Sequence, residues 1–245
     1  MRLPPTLRQV KSRIQAGEHM QRGTMLGSFA SKQWEHASLR VELLRLFYGY
    51  APTVLVANAV SGTLIVFVFW GLVAEHLLIG WYVLLLATVV ARARLWSRYR
   101  REPGAAGQVA RWEQLAAVGS GVSGILWGAA GALFFVPHSP IHHTVLAFVL
   151  GGMGAGAVAS LAAHLPAFHA YLLPSVLPFA ARLAAVNDAE HLARAGMVLI
   201  YVTALLLVGW RAHVSLAQSI ALRFEKAELL RVAAIVDPPS TRSSV

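Results

Sequence analysis

Residues 114–181 read QLAAVGSGVSGILWGAAGALFFVPHSPIHHTVLAFVLGGMGAGAVASLAAHLPAFHAYLLPSVLPFAA and contain no Asp, Glu, Lys or Arg. A soluble fold gives each surface helix a charged outer face, because water meets that face. This run of 68 residues has no such face and is far longer than one membrane crossing of about 20 residues. It reads as several helices solvated by lipid and joined by short loops.

Composition agrees. Of 245 residues, 57% are hydrophobic and 13% charged, where soluble domains are about a quarter charged. Net charge is +10. A basic chain can signal nucleic acid, but these cations sit mostly outside the apolar segments, as membrane-topology signals do. No nucleic-acid partner is expected; the lipid bilayer is. There is no cysteine, which excludes disulfides, thiolate nucleophiles and Cys-based metal sites. The first 45 residues hold eight Lys/Arg and no apolar core of a cleavable signal.

Six crossings follow along the chain: residues 51–74, 77–95, 115–135, 143–163, 167–186 and 192–210. The first is flanked by Tyr48, Tyr50 and Trp70, aromatics suited to an interface. The second has only fifteen uncharged residues, 77–91, so Arg92 and Arg94 are expected to snorkel beside Trp96. The expected fold is all-α: a polytopic six-helix transmembrane bundle with N- and C-terminal cytoplasmic helices. Residues 1–47 form a cytoplasmic segment, 48–211 the membrane domain, 212–236 an exit helix and 237–245 a disordered tail. Residues 1–32 are expected to hold little order. In 33–47 the apolar positions Leu39, Leu43, Leu46 and Phe47 make an amphipathic helix, lying on the inner leaflet or leading into the first span. In the exit helix Ala217, Ile220, Phe224 and Ala227 follow a three-four spacing.

Small residues recur every four positions in the third and fourth spans: Ser120, Gly124, Gly128 and Ala132, then Gly152, Gly156 and Ser160. Such faces let backbones approach closely. They predict that these two spans pack against each other or against a second copy, whether as plain packing or as a sliding interface. Pro174 and Pro178, one turn apart in the fifth span, each remove a backbone hydrogen bond. They mark a hinge or a static kink.

Histidines gather at one end: His76, His138, His142, His143 and His191, with Glu75, Asp188 and Glu190. Imidazole ligates zinc, copper or haem iron, which makes His138, His142 and His143 candidate metal ligands. The alternative is polar residues capping helix ends, since Pro137 and Pro140 break any shared helical face. His164 and His169 flank Pro166 at the other end. Arg182 is placed to meet Asp188 or Glu190, and Glu113 to pair with Arg111 at the rim. There is no acid deep in any span, no nucleotide-binding loop and no hydrolase or zinc-protease motif. No catalytic residues and no cofactor are expected.

The pattern resembles the N-terminal membrane sensor region of bacterial signalling proteins: diguanylate cyclases of the GGDEF type, often with EAL domains, and membrane histidine kinases. The likeness lies in residues 43–52, 92–101, Gly124-Ile-Leu-Trp-Gly128, Gly151-Gly-Met-Gly-Ala-Gly156 with Ser160, Leu165-Pro-Ala-Phe168, Tyr171, Pro174, Pro178 and residues 222–230. It implies a sensor module in a bacterial inner membrane that signals through its last span to a cytoplasmic output or partner, as a homodimer or with another membrane protein. The output domain of those enzymes is absent from this sequence, so no enzymatic activity is expected of it. Such a chain is either a fragment or a free-standing relative. The other reading is a non-catalytic accessory or scaffold subunit of a larger membrane complex.

Arginine placement orients the bundle. Eight Lys/Arg precede residue 46, six lie in 92–111 and five follow residue 210, while the connections after the first and third spans hold none. The positive-inside rule puts both termini and the 92–111 loop in the cytoplasm. A reporter fused after Ser139 is expected to face away from the cytoplasm, and a cytoplasmic signal there would overturn this topology.

Overall fold

The computed structural model describes residues 38–101, 108–136 and 139–236. The segment 1–37, the loop 102–107, Pro137, His138 and the tail 237–245 lie outside the described residues. The helical bundle belongs to the compact unit that begins at Val41.

All regular structure among the described residues is helical. Helix α1 (38–49) passes through a turn at Tyr50 into α2 (Ala51–Phe69). Then come α3 (Glu75–Arg101), α4 (Val109–Leu133), α5 (Pro140–Leu161), α6 (Leu165–Ala185) and α7 (Ala189–Val236). Proline sits in the first turn of α2, α5 and α6, where its missing N–H costs nothing and its fixed φ suits the helix. Gly71 turns α2 towards α3 at φ 73°, a left-handed conformation glycine adopts freely. Successive helices run up and down. Tyr48, Trp112, His164 and His213 mark one end, and Phe69, Phe134, His143 and His191 the other.

Among the described residues five helical stretches are long and apolar enough to cross a membrane: Ser38–Phe69, Glu75–Arg101, Val109–Leu133, Pro140–Leu161 and Ala189–Ala227. The sequence pattern predicts six. The difference is α6, whose 21 residues are long enough at about 1.5 Å each but include three prolines, His169, Tyr171, Ser175 and Arg182. It is also heavily enclosed. Ala167, Phe168, Leu172, Val176, Phe179, Ala180 and Leu183 are all buried, so protein rather than lipid surrounds much of it.

The most extensive helix pair is α4 with α6. Gly124 and Gly128 lie directly on the α6 backbone: a methyl group on Gly124 would strike the Tyr171 carbonyl, and one on Gly128 the Pro174 carbonyl. Gly131 continues the stripe, with Phe179 Cβ 2.9 Å from where its own Cβ would stand. The expected contact between the third and fourth spans is replaced by this one, and α4 touches α5 only sparsely. On α5, Gly152 and Gly156 meet nothing within 4 Å. The packing face of α5 is turned by one residue: a Cβ on Gly154 would come within 3.0 Å of Leu205 on α7, and the Tyr201 hydroxyl of α7 donates to the Gly151 carbonyl at 2.5 Å.

Leu43, Leu44, Phe47 and Tyr48 are buried, so α1 leads into the first span and joins the bundle with its apolar stripe. Helix α7 is unbroken over 48 residues, about 72 Å at the usual rise. It carries the exit segment without a joint after Trp210.

Overpacking a close helix contact costs about 1–3 kcal/mol. Gly128→Ala should destabilise the bundle by that order in a detergent unfolding series, whereas Gly152→Ala should be neutral. Equal effects of the two would refute the assigned packing face.

Candidate functional site

Arg92 departs most from its expected placement. Arg94, two residues on, is exposed. Arg92 turns into the bundle: its aliphatic stem lies where a side chain on Gly119 would be, with Cγ 3.6 Å from that position, and its Nη1 donates to Ser123 Oγ at 3.1 Å. Ser123 donates onward to the Gly119 carbonyl at 3.0 Å. Arg92 stands nine residues before the end of α3, about 13 Å inside it at the helical rise. Among the described residues no ion pair includes it. A cation turned into a helical bundle without a carboxylate partner is costly, and within a membrane-spanning segment such a group is a functional-site candidate.

Beside Arg92 lies a cavity of about 300 Å³ between α2, α5 and α6. Tyr50 and Asn58 line it from α2, Gly152 and Gly156 from α5, and Tyr171 from α6. Thr53, Ala57, Gly152 and Gly156 are exposed, so the cavity opens sideways between α2 and α5. The Tyr171 hydroxyl is buried and has no hydrogen-bond partner among the described residues. Asn58 is held fast: its Oδ1 accepts from Trp127 Nε1 at 2.8 Å and its Nδ2 donates to the Val54 carbonyl at 2.7 Å. That pair ties α2 to α4, and Trp81 Nε1 donating to the Leu126 carbonyl at 2.7 Å ties α3 to α4.

The floor at the Tyr48 end is aromatic. Tyr48 stacks on Tyr99 at 4.1 Å, both meet Trp112 edge-on, and the Tyr48 hydroxyl donates to the Trp112 carbonyl at 3.2 Å. His164 donates from Nε2 to the Glu113 carbonyl at 3.1 Å, which joins α6 to α4 across this floor, while His169 is exposed.

At the Phe69 end His142 and His143 take different partners. His142 shares a hydrogen bond with Ser139 Oγ at 2.5 Å and faces Phe69 of α2. His143 is buried, stacks on Phe135 at 4.2 Å and donates from Nε2 to the Val136 carbonyl at 2.8 Å. Neighbours on a helix point about 100° apart, and the two rings diverge accordingly. His143 meets His191 of α7 with ring centroids 5.4 Å apart. No three His, Asp or Glu among the described residues could hold a metal ion, and His138 lies outside them. Arg182 sits over the Phe135 ring at 5.3 Å, while Glu190 pairs with Arg194 and Asp188 with His191. Two shallow grooves of about 390 and 350 Å³ run along α5 and α7 here. Their walls are apolar apart from His143, Thr144, Arg194 and Tyr201, and Arg194 already has its carboxylate.

Gly124 and Gly128 thus serve the α4–α6 contact, Ser120 is buried on α4, and Ser160 donates to the Gly156 carbonyl at 2.8 Å. Gly152 and Gly156 belong to the cavity wall. Pro174 and Pro178 lie inside a helix that continues through them. The sequence pattern does not single out Arg92, Asn58, Ser123 and Tyr171 as a site. The available signal was Arg92 itself, the first cation after the uncharged run 77–91. Comparison with protein-family models, curated proteins and solved structures found no match.

Helix α7 begins with a polar clamp. Asn187 takes the left-handed conformation, φ 59°, and Asp188 then caps the helix. Its carboxylate accepts from the His191 backbone N–H at 2.7 Å and from the His191 ring at 2.7 Å. The backbone N–H first, and the ring second, hold the Asp188 carboxyl below its usual range. A lowered carboxyl pKa stabilises the fold above the ordinary Asp range, and that contribution disappears as pH falls through the lowered value. Asp188→Ala should therefore lower the melting temperature at pH near 7, and the two proteins should converge in acid. A difference constant with pH would refute the clamp.

Proposed function

We propose that the chain is a membrane-embedded sensor and transducer, in which the Arg92 cavity is the input and α7 the output. The observation that carries this reading is that α5 and α6 each border the cavity with one face and α7 with another. On α5, Gly152 and Gly156 face the cavity while Gly151 and Gly154 meet Tyr201 and Leu205 of α7. On α6, Tyr171 faces the cavity while Phe168 lies within 2.5 Å of where a Cβ on Gly209 of α7 would be. An occupant that separates α2 from α5 moves the surface on which α7 rests. Because α7 has no break, a shift or rotation reaches its far end. A ligand biases such a bundle only as far as its contacts differ between two states.

In this reading all six helices from α2 to α7 cross a bacterial inner membrane, α6 included, with both termini cytoplasmic as the arginines direct. Beyond the bundle α7 leaves Leu222, Phe224, Leu229 and Leu230 exposed. Apolar side chains on a helix in water call for a partner, and a second copy of α7 is the simplest one. The same exposed side chains also suit docking onto another protein. That is the one feature favouring the alternative, a non-catalytic accessory or scaffold subunit of a larger membrane complex.

The chain has no cysteine, so single substitutions report cleanly. Cysteines placed one at a time over residues 217–227 should crosslink between copies in native membranes with a helical period, strongest at Leu222 or Phe224. Absence of any crosslink, with the protein monomeric in mild detergent, would refute the homodimeric transducer and leave the accessory-subunit reading.

A further inference from the structure

We propose that the Arg92 cavity binds an anionic amphiphile, its carboxylate or phosphate headgroup on Arg92 and its aliphatic chain along Gly152 and Gly156; this deepens the reading of the cavity as the input site. Four observations converge. The guanidinium has five N–H donors, and one hydrogen bond, to Ser123, is formed. Among the described residues no carboxylate pairs with it. A planar fork with free donors fits carboxylate and phosphate oxygens two at a time. The Tyr171 hydroxyl, buried on the same wall without a partner, supplies a neutral donor beside the charge. The rest of the wall is mostly apolar, with Thr53, Asn58 and Ser160 among its polar members, and a cavity of about 300 Å³ lies in the range of small-ligand sites.

The opening selects the route. Thr53, Ala57, Gly152 and Gly156 are exposed along the α2–α5 seam, which lipid solvates if these helices span the bilayer. An amphiphile enters there sideways, with its headgroup towards the Tyr48 end and its chain pointing towards the bilayer centre. Neutral amphiphiles such as a fatty alcohol leave the guanidinium unneutralised and are disfavoured. Two sources share the required chemistry, a free fatty acid and an anionic phospholipid of the adjoining leaflet.

The test uses the full chain in nanodiscs of pure phosphatidylcholine. A long-chain fatty acid is titrated against the fatty alcohol of equal length. In a second arm, phosphatidylglycerol replaces part of the phosphatidylcholine, and retained lipid is read by mass spectrometry after gentle extraction. The expected result is a preference of about tenfold or more for the acid over the alcohol, or for phosphatidylglycerol over phosphatidylcholine. Arg92→Gln should abolish it, and Arg94→Gln should keep it. The first preference names a free acid as the occupant, the second a phospholipid. Equal binding of acid and alcohol without phosphatidylglycerol enrichment overturns the proposal, as does a preference that survives Arg92→Gln. If Arg92→Gln fails to fold, the acid–alcohol and phospholipid comparisons on the unaltered chain decide. Because α7 crosslinking is measured separately, loss of binding with intact periodic crosslinks sinks the ligand and spares the transducer, and the reverse result does the opposite.

Discussion

The contact of α4 with α6 holds the rest of the bundle in place. Hydrophobic drive between helices is weak in lipid, so close backbone approach and polar contacts must supply the association. Here two sequence features one turn apart meet each other. Pro174 and Pro178 have no N–H to offer the carbonyls of Ala170 and Pro174, four residues back. Those carbonyls face α4: the Ala170 oxygen is 3.0 Å from where a Cβ on Gly124 would be, and the Pro174 oxygen lies on the corresponding position of Gly128. A carbonyl freed by proline thus meets a backbone without a side chain, where Cα–H groups are weak donors. Prolines at that spacing suit glycines at the same spacing. The result is a fixed joint, with Gly131 against Phe179 extending it by another turn.

With α6 locked against α4, its composition becomes intelligible. A helix enclosed by protein need not be as apolar as one facing lipid, so α6 tolerates Tyr171 and Ser175 in its buried face. The same enclosure lets polar groups on neighbouring helices stay inside. Asn58 satisfies Trp127, Ser123 receives Arg92, and Trp81 reaches a main-chain carbonyl. Each of these bonds crosses between helices or anchors one, and leaving such a buried donor without its partner costs about 1–3 kcal/mol. Polar bonds thus tie α2, α3 and α4 together, and His143, His191 and the Tyr201 hydroxyl lie where α5 meets α7.

How much of this was legible in the sequence depends on the quantity each signal measures. Absence of charge over 114–181 measures solvent, so the helical, lipid-suited character of the chain was readable, and so were the connections, where Pro, Gly and charge gather. Small residues at four-residue spacing mark close approach but not its partner. Gly124 and Gly128 do touch another helix closely, yet that helix is α6, and the information lay in the matching spacing of Pro174 and Pro178. On α5 the small residues that pack on α7 are Gly151 and Gly154, not the Gly152 and Gly156 that the four-residue spacing picks out. Adjacent histidines such as His142 and His143 cannot share a helical face, which the sequence spacing already disfavoured. Arg92 was misplaced because snorkelling and inward burial require the same position near a helix end. Only the partner decides between them, and Ser123 and Gly119 are 31 and 27 residues away in the chain.

The two-sided placement of α5 and α6 also constrains any signalling mechanism. Because α4 and α6 are joined backbone to backbone, α6 is the stationary member. α2, held to α4 through Asn58 and Trp127, is stationary too. In the proposed transducer the element that responds to an occupant of the Arg92 cavity is α5, whose cavity face is open at Gly152 and Gly156, whose contact with α4 is sparse and which also touches α2. Its firm attachments are to α6 and α7, the latter through Tyr201 and Leu205. In the proposed transducer, displacement of α5 is therefore passed to α7 at mid-helix. From Leu205 to the exposed apolar residues that begin near Leu222 is about five turns.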